Sequence, residues 1–475
     1  MLNISQSYID GRFTPTRGDE AVEIVNPADE SVLGRATLAN REDVRAAIDA
    51  ATRAQPAFAR TSTAERIALL ERLQAAMLAH GDALCESSIL EYGGPFSRSR
   101  WVSRYAADCF GQAARTLEGY AFERPAGVDG VSTLRMEPVG VSGLFAPWNA
   151  ASGTMASKLA AALAAGCATV VKPSELSPWQ AEVMAQAIHE AGVPAGVVNI
   201  VTGRGADAGA ELSSHAAVAK LSFTGSTPTG KLIARAGIEG MKRVSLALTG
   251  KSASLLLDDA TLETAVPLAV AAAFMNSGQA CVAGTRLLVP RHRMAEVIER
   301  VRAAVDALQV GDPRDPATNV GPMVGRAQLE RVQSFIHSGI EQGATLVSGG
   351  PGRPAGLERG WFVRPTVFCD VRPGMRIARE EIFGPVLSIL AVDGEDDAVS
   401  IANDSPYGLQ AYVFSEDLAA ARRIAGRLQA GTVLINRVAP DLLAPFGGVK
   451  QSGLGREFGV MGLEAFLEPK TITTG

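Results

Sequence analysis

Between residues 138 and 248 the chain switches repeatedly from short β-branched runs to Ala-rich stretches of helical spacing. Strands are expected at 139–145, 168–172, 197–201, 220–223 and 243–248, with helices at 156–165, 178–190, 206–213 and 229–236. Strands separated by helices of this length predict a parallel sheet covered by helices. A second α/β block runs from about 250 to 450, with strands near 254–257, 286–289, 386–391, 411–414 and 432–435. Ahead of both, residues 41–60, 62–91 and 98–119 have helical apolar spacing, and 120–135 read as a hairpin around Val128, Asp129 and Gly130. Residues 466–474 read as an extended strand without a local partner, so a partner is expected elsewhere, such as in another subunit.

The chain's 475 residues suit two to three domains, and 47% apolar with 20% charged residues suits a large core. A net charge of −5 argues against a nucleic-acid binder working by bulk positive charge. The 49 glycines follow no triplet period, which excludes collagen. Residues 1–13 lack a basic segment followed by an apolar one, and the longest apolar run, 159–171, is too short to span a bilayer. A soluble, cytoplasmic protein with no membrane partner is expected. Five scattered cysteines without a C-x-x-C fit a reducing compartment, and no pattern of histidines suggests a metal.

Three segments carry possible chemistry. Gly225-Ser-Thr-Pro-Thr-Gly230-Lys231 has P-loop spacing, but Leu232 stands where the magnesium-binding hydroxyl belongs. A dinucleotide phosphate at this helix N-terminus remains compatible with the pattern. Gly203-Arg204-Gly205 is an incomplete dinucleotide fingerprint, equally readable as a turn. Cys281, flanked by Gly278 and Gly284, reads as a thiol in a loop or at a helix start, where a lowered pKa makes a nucleophile. Cys85, Cys109, Cys167 and Cys369 sit in apolar surroundings and read as core.

Taken together, seven segments resemble the NAD(P)-dependent aldehyde dehydrogenase superfamily, in its order and at its separations. They are APWNAASGTMASKLAAALAAGCATVVKPSELSP (146–178), GVVNIVTGRG (196–205), FTGSTPTGK (223–231), GKSA (250–253), GQACVAG (278–284), EEIFGPV (380–386) and PFGGVKQSGLGRE (445–457). The resemblance implies an α/β fold with a Rossmann-like dinucleotide-binding domain (1–118 and 138–247), an α/β catalytic domain (248–445), and a small β oligomerisation arm with the C-terminal tail (119–137 and 446–475). It implies a homodimer or homotetramer.

The same resemblance assigns roles. Cys281 is the nucleophile that attacks the aldehyde carbon, and Asn149 supplies an amide to the oxyanion. Lys172 and Glu175 fall where the family contacts the adenosine ribose, and a carboxylate at Glu175 favours NAD over NADP. Ser226 falls near the pyrophosphate, and Glu381 and Phe383 fall where the nicotinamide ribose and ring are positioned. Trp148, Ser174, Gly205, Phe223, Gly225 and Leu248 are further cofactor-binding positions. Lys158 matches a lysine of the proton-relay network, and Glu457 a second glutamate near the site.

One position departs. The family's Glu-Leu-Gly-Gly-Lys reads Ala247-Leu248-Thr249-Gly250-Lys251 here. Ala247 therefore stands where the family has the general base that activates water against the thioester. Loss of such a base typically costs about 10²- to 10⁴-fold. Three explanations compete: deliberate replacement to stall deacylation, which the intactness of the other positions favours; a CoA-acylating enzyme, whose branch also lacks the glutamate; and a catalytically silent structural protein. The substrate tunnel maps to Ala150, Thr154 and Ser157 and to the loop holding Arg437 and Asp441. Small side chains at the first three positions predict room for a bulky or aromatic aldehyde, and Arg437 and Asp441 either meet polar substrate groups or pair with each other.

Overall fold

A computed structural model describes residues 1–474, the side chain of residue 129 apart. The five strands of the alternating region, Ser142–Ala146, Thr169–Pro173, Val198–Ile200, Lys220–Thr224 and Arg243–Ala247, are parallel neighbours in one sheet. That sheet has eight strands. Gln6–Ile9 and Arg12–Pro15 extend one edge as an antiparallel pair, and Gly453–Leu454 pairs antiparallel with Leu246 and Ala247 at the other. The N-terminal strands escape sequence reading because each is short and its partner lies far along the chain: Tyr8 pairs with Ile200.

Helix Ala151–Ala165 begins earlier than the apolar spacing suggests. It ends where Gly166, at φ 88°, turns the chain into the next strand. With Thr63–Ala79, Phe96–Glu118 and Pro178–Glu190 it encloses the largest apolar core, centred on Leu70, Leu73, Phe110, Met155 and Leu159. The opposite face is covered by Arg41–Phe58 and packs Val44, Ile48, Val170, Leu212 and Leu221. Arg41–Phe58 starts with a complete capping box in which Asn40 and Asp43 satisfy each other's backbone N–H groups.

The second sheet has seven strands in the order Thr345–Ser348, Thr366–Cys369, Val386–Val392, Arg286–Pro290, Ala253–Leu256, Gln410–Phe414, Thr432–Ile435. All its pairings are parallel except that of Thr345–Ser348.

A third sheet corrects one expectation. The terminal strand Leu467–Thr473 is not an orphan: it pairs antiparallel over its whole length with Ser132–Pro138 of the same chain, which pairs in turn with Glu123–Ala126. Only the end of the tail lies in this arm. Residues 446–464 fold back onto the main body, where helix Gly459–Glu464 rests on Phe96–Glu118 and Ala151–Ala165. No helix among the described residues is long and apolar enough to cross a membrane.

Candidate active site

Cys281 lies in a loop leading into the second sheet, not at a helix start. The approach to it is strained. Asn276, Ser277 and Gly278 follow one another in the left-handed region at φ 54°, 58° and 72°. Left-handed non-glycine residues persist only where their surroundings hold them. Here Asn276 donates to the carbonyls of Asn149 (2.9 Å) and Gln279 (3.0 Å), and Ser277 Oγ accepts from the Gly321 N–H at 2.9 Å. Gln279 is tied on both sides: it donates to Tyr92 and the Pro322 carbonyl and accepts from Val324 N–H. Gly278 is required by contact as well as by φ, because a Cβ there would fall 2.2 Å from the Gly384 carbonyl oxygen.

The structure brings Asn149 to this loop, where its amide donates to the Gln279 carbonyl at 2.9 Å. Gly250 packs against the other side: a Cβ on it would lie 2.2 Å from the Cys281 carbonyl oxygen. The turn that follows Ala247 therefore touches the backbone of Cys281. Burial, with the charges of Glu381 and Glu457, pushes the Cys281 thiol up to about 12. This corrects the expectation of a lowered pKa: with no helix N-terminus behind it, the thiol needs its proton removed. The other four cysteines are buried and unbonded.

Glu381 accepts the Gly250 N–H at 3.1 Å, and burial raises its carboxyl to about 7. Its loop is anchored to helix Arg326–Glu341, where Arg331 and Gln328 donate to the carbonyls of Glu381 and Phe383 at 2.6 and 2.7 Å. Phe383, held at φ 61°, sets its ring edge-on to Trp148 at 5.4 Å between centroids.

The residues expected on the dinucleotide side form two local groups. Ser226 caps helix Thr227–Glu239, accepting from Thr229 N–H at 3.4 Å, while the Thr227 N–H is taken by Thr249 Oγ1 at 3.2 Å. Thr249, the second departure from the family sequence, thus links this helix start to the turn beside Glu381. Gly225 must lack a side chain, since a Cβ would meet the Phe223 ring at 2.5 Å, and Gly230 likewise meets Leu248 at 2.5 Å. Lys172, lowered to about 8 by burial, donates to the Pro173 carbonyl and lies 3.9 Å from Glu175. Ser174 shapes the turn between them by accepting the Leu176 N–H. Arg204, beside Gly205, reaches Glu175 at 3.6 Å and Glu20 at 2.7 Å. The sequence leaves residues 203–205 readable as a fingerprint or a turn and gives this guanidinium no role.

Lys158 is buried and bonds Glu457 at 2.5 Å and Ser222 Oγ at 3.0 Å. Ala247 ends its strand as the register partner of Thr224, whose buried hydroxyl has no hydrogen-bond partner.

Ala150 and Thr154 are partly exposed at the start of helix Ala151–Ala165, and Ser157 is buried, donating to the Thr154 carbonyl. Against the same helix start, at Gly153, lies an aromatic group that the sequence did not reveal. Trp101 and Tyr105 stack at 4.9 Å, Tyr105 meets Phe458 at 6.3 Å, and Phe458 meets Phe446 at 6.3 Å. A Cβ on Gly153 would strike Tyr105 at 2.5 Å, which ties the helix start to this wall. Arg437 and Asp441 are exposed and form no ion pair with each other; Asp441 instead accepts the Leu443 N–H.

Comparison with known proteins identifies the family. The profile of the Aldehyde dehydrogenase family matches residues 13–472. The chain is 44% identical over 474 residues to a 3-succinoylsemialdehyde-pyridine dehydrogenase of Pseudomonas sp, covering 99% of both chains. The fold superposes with a TM-score of 0.97 on a cysteine-to-alanine mutant of aldehyde dehydrogenase C from Pseudomonas syringae in complex with NAD+ and octanal, at 42% identity over 99% of this chain and 96% of that one. It superposes with a TM-score of 0.96 on the NAD+ complex of an aldehyde dehydrogenase from Bacillus cereus, at 37% identity over 99% of this chain and 96% of that one. This chain belongs to the aldehyde dehydrogenase family.

Proposed function

We propose that this protein oxidises an aldehyde with NAD through Cys281 and stalls at the thioester, because Ala247 leaves no base to activate water. The observation that carries this reading is the juxtaposition of Cys281, the Asn149 amide and the Gly250 turn, with alanine at the head of that turn. The residues fit the cofactor: a capped helix start after a side-chain-free Gly225, and Lys172 with Glu175 at a strand end. NAD, when bound, accepts the hydride. NAD is favoured over NADP because Arg204, the cation near Glu175, is already shared between two carboxylates.

In the first step the thiol loses its proton and sulfur attacks the carbonyl carbon. The Asn149 amide and the Cys281 backbone N–H hold the developing oxyanion, an arrangement typically worth about 3–4 kcal/mol in the barrier. Loss of the carbon-bound hydrogen as hydride then re-forms the carbonyl, as a thioester on sulfur. Hydrolysis stops there. Small residues at 150 and 154, with Tyr105 of the Trp101, Tyr105 and Phe458 cluster against Gly153 of the same helix start, support a bulky or aromatic aldehyde. The relatives named above act on, or hold, such different aldehydes as a pyridine derivative and octanal. The open outer edge of Leu467–Thr473 gives the arm a surface for a second copy of the chain.

Intact mass after mixing with NAD and a panel of aldehydes tests the proposal. An adduct of acyl mass on Cys281, with about one NADH per chain, is expected. Steady turnover without any added thiol would refute the stall. Turnover appearing only with coenzyme A would replace it with acyl transfer.

A further inference from the structure

Helix Phe96–Glu118 starts against the loop that leads to Cys281. Just ahead of it, Tyr92 donates to the Asn276 carbonyl at 3.4 Å. A Cβ on Gly321, whose N–H binds Ser277, would lie 2.3 Å from the Gly93 carbonyl oxygen. Arg98 stands in the first turn of this helix, its guanidinium 4.3 Å from the centroid of the Trp101 ring. Its Nε is sealed from solvent and has no hydrogen-bond partner. Two arginines further along the helix are paired, Arg100 with Asp82 at 2.7 Å and Arg104 with Asp108 at 3.1 Å, whereas Arg98 has no ion pair among the described residues.

We propose that Arg98 recognises a carboxylate on the substrate, so that the natural aldehyde is an oxo acid whose carbonyl goes to Cys281 and whose acid group goes to the guanidinium. The inference narrows the substrate class of the aldehyde oxidation proposed above and rests on it.

Three observations support it. First, buried charges are as a rule paired, and an unpaired one is costly. The groups to which Arg98 couples most strongly are Tyr92, Tyr105, Cys281 and Tyr412. Burial raises the pKa of all four, so each is neutral near physiological pH and none supplies the missing negative charge. The same couplings set the guanidinium close to the nucleophile, since Tyr92 bonds Asn276 ahead of Cys281 and Tyr412 donates to the Val282 carbonyl behind it at 3.0 Å. Second, the helix gains nothing from a cation in its first turn, where its own dipole is positive. Third, stacking on Trp101 uses one face of the guanidinium and none of its N–H groups. A flat fork held in that way takes a carboxylate through two parallel hydrogen bonds. One cation balances a monoanion, whereas a phosphate dianion would add uncompensated charge near Glu381 and Glu457, which already oppose a thiolate at Cys281.

Stopped-flow NADH bursts test it, with para-carboxybenzaldehyde and succinic semialdehyde each compared with its methyl ester in the full chain, Arg98→Met and Arg98→Lys. At low aldehyde concentration the parent should burst about 10- to 100-fold faster with the acid than with the ester for at least one pair, the range of a charge-assisted hydrogen-bonded contact. Arg98→Met should bring that ratio near one, and Arg98→Lys should keep only part of it, because an ammonium lacks the fork. A parent ratio near one for both pairs, or a ratio unchanged in Arg98→Met, overturns the proposal, since a merely structural role slows acid and ester alike. A second measurement needs neither cofactor nor aldehyde: terephthalate should slow the alkylation of Cys281 by iodoacetamide in the parent and not in Arg98→Met. If no aldehyde gives a burst while this protection is seen, the aldehyde-oxidising reading fails and the carboxylate site stands. Absence of both burst and protection overturns both.

Discussion

Placing a carboxylate at position 247 gives the sharpest test of the proposed stall at the thioester. In Ala247→Glu the new side chain leaves a strand end that is only 6% exposed, next to the orphaned hydroxyl of Thr224. That hydroxyl offers the carboxylate one hydrogen bond, worth about 1 kcal/mol net. Burial raises the carboxyl's pKa toward neutrality, where a general base works best. Space is the cost, because position 247 is buried and its strand end is covered by the pairing with Gly453. Overpacking of this kind typically costs about 1–3 kcal/mol of stability. Against that, a positioned base lowers the deacylation barrier by about 3–5 kcal/mol, the equivalent of 10²- to 10⁴-fold. Stopped-flow NADH absorbance separates the two steps. The burst should have the same rate in both proteins, and the steady-state rate after it should rise by about 10²-fold or more in the variant. If the variant folds, bursts and then turns over no faster than the parent, the absent glutamate is not what limits hydrolysis, and the reasoning fails.

Two other outcomes follow from the same structure. Glu175→Ala frees Arg204 of one carboxylate partner, so the ratio of kcat/KM for NADP to that for NAD should rise by about tenfold or more, read from steady-state kinetics of the Ala247→Glu background. Glu91 accepts backbone N–H groups of Trp179 and Gln180 at the start of helix Pro178–Glu190, and burial raises its carboxyl from 4.5 to about 8. The native state therefore holds a proton that the unfolded chain has released between those values. Its contribution is fully present below about pH 4.5 and is lost as the pH rises to about 8. Glu91→Gln should flatten that decline, measured as the difference between urea midpoints at the two ends of the window.

Legibility in the sequence followed distance along the chain. The alternating region could be read because each strand is followed at once by the helix that covers it, and 178–190 matches the observed helix residue for residue. Cys281 could be placed because glycines bracket it. Its ionisation could not, because desolvation and the charges of Glu381 and Glu457 arrive from distant segments. Lys158 and Glu457 each matched a family position, yet nothing local says that they bond each other across 299 residues. The aromatic wall was hidden for the same reason: Trp101 and Tyr105 read as one face of an ordinary amphipathic helix, and only the fold brings Phe458 to them. Arg204 looked like part of a glycine turn, since its partners Glu20 and Glu175 lie on other elements.

The pairing of Gly453–Leu454 with the strand ending at Ala247 has a consequence for how the protein is made. A nascent chain folds from its N-terminus as it emerges. The first sheet can assemble early, but the strand Arg243–Ala247 remains an unprotected edge until residues 453–454, far along the chain, have been synthesised. Glu457 reaches Lys158 only with that same later segment. Residues 453–457 thus both seal an aggregation-prone edge and bring a carboxylate to Lys158. A truncated product ending before residue 450 would lack both, and ribosome-bound intermediates should display the exposed edge to chaperones until that segment emerges.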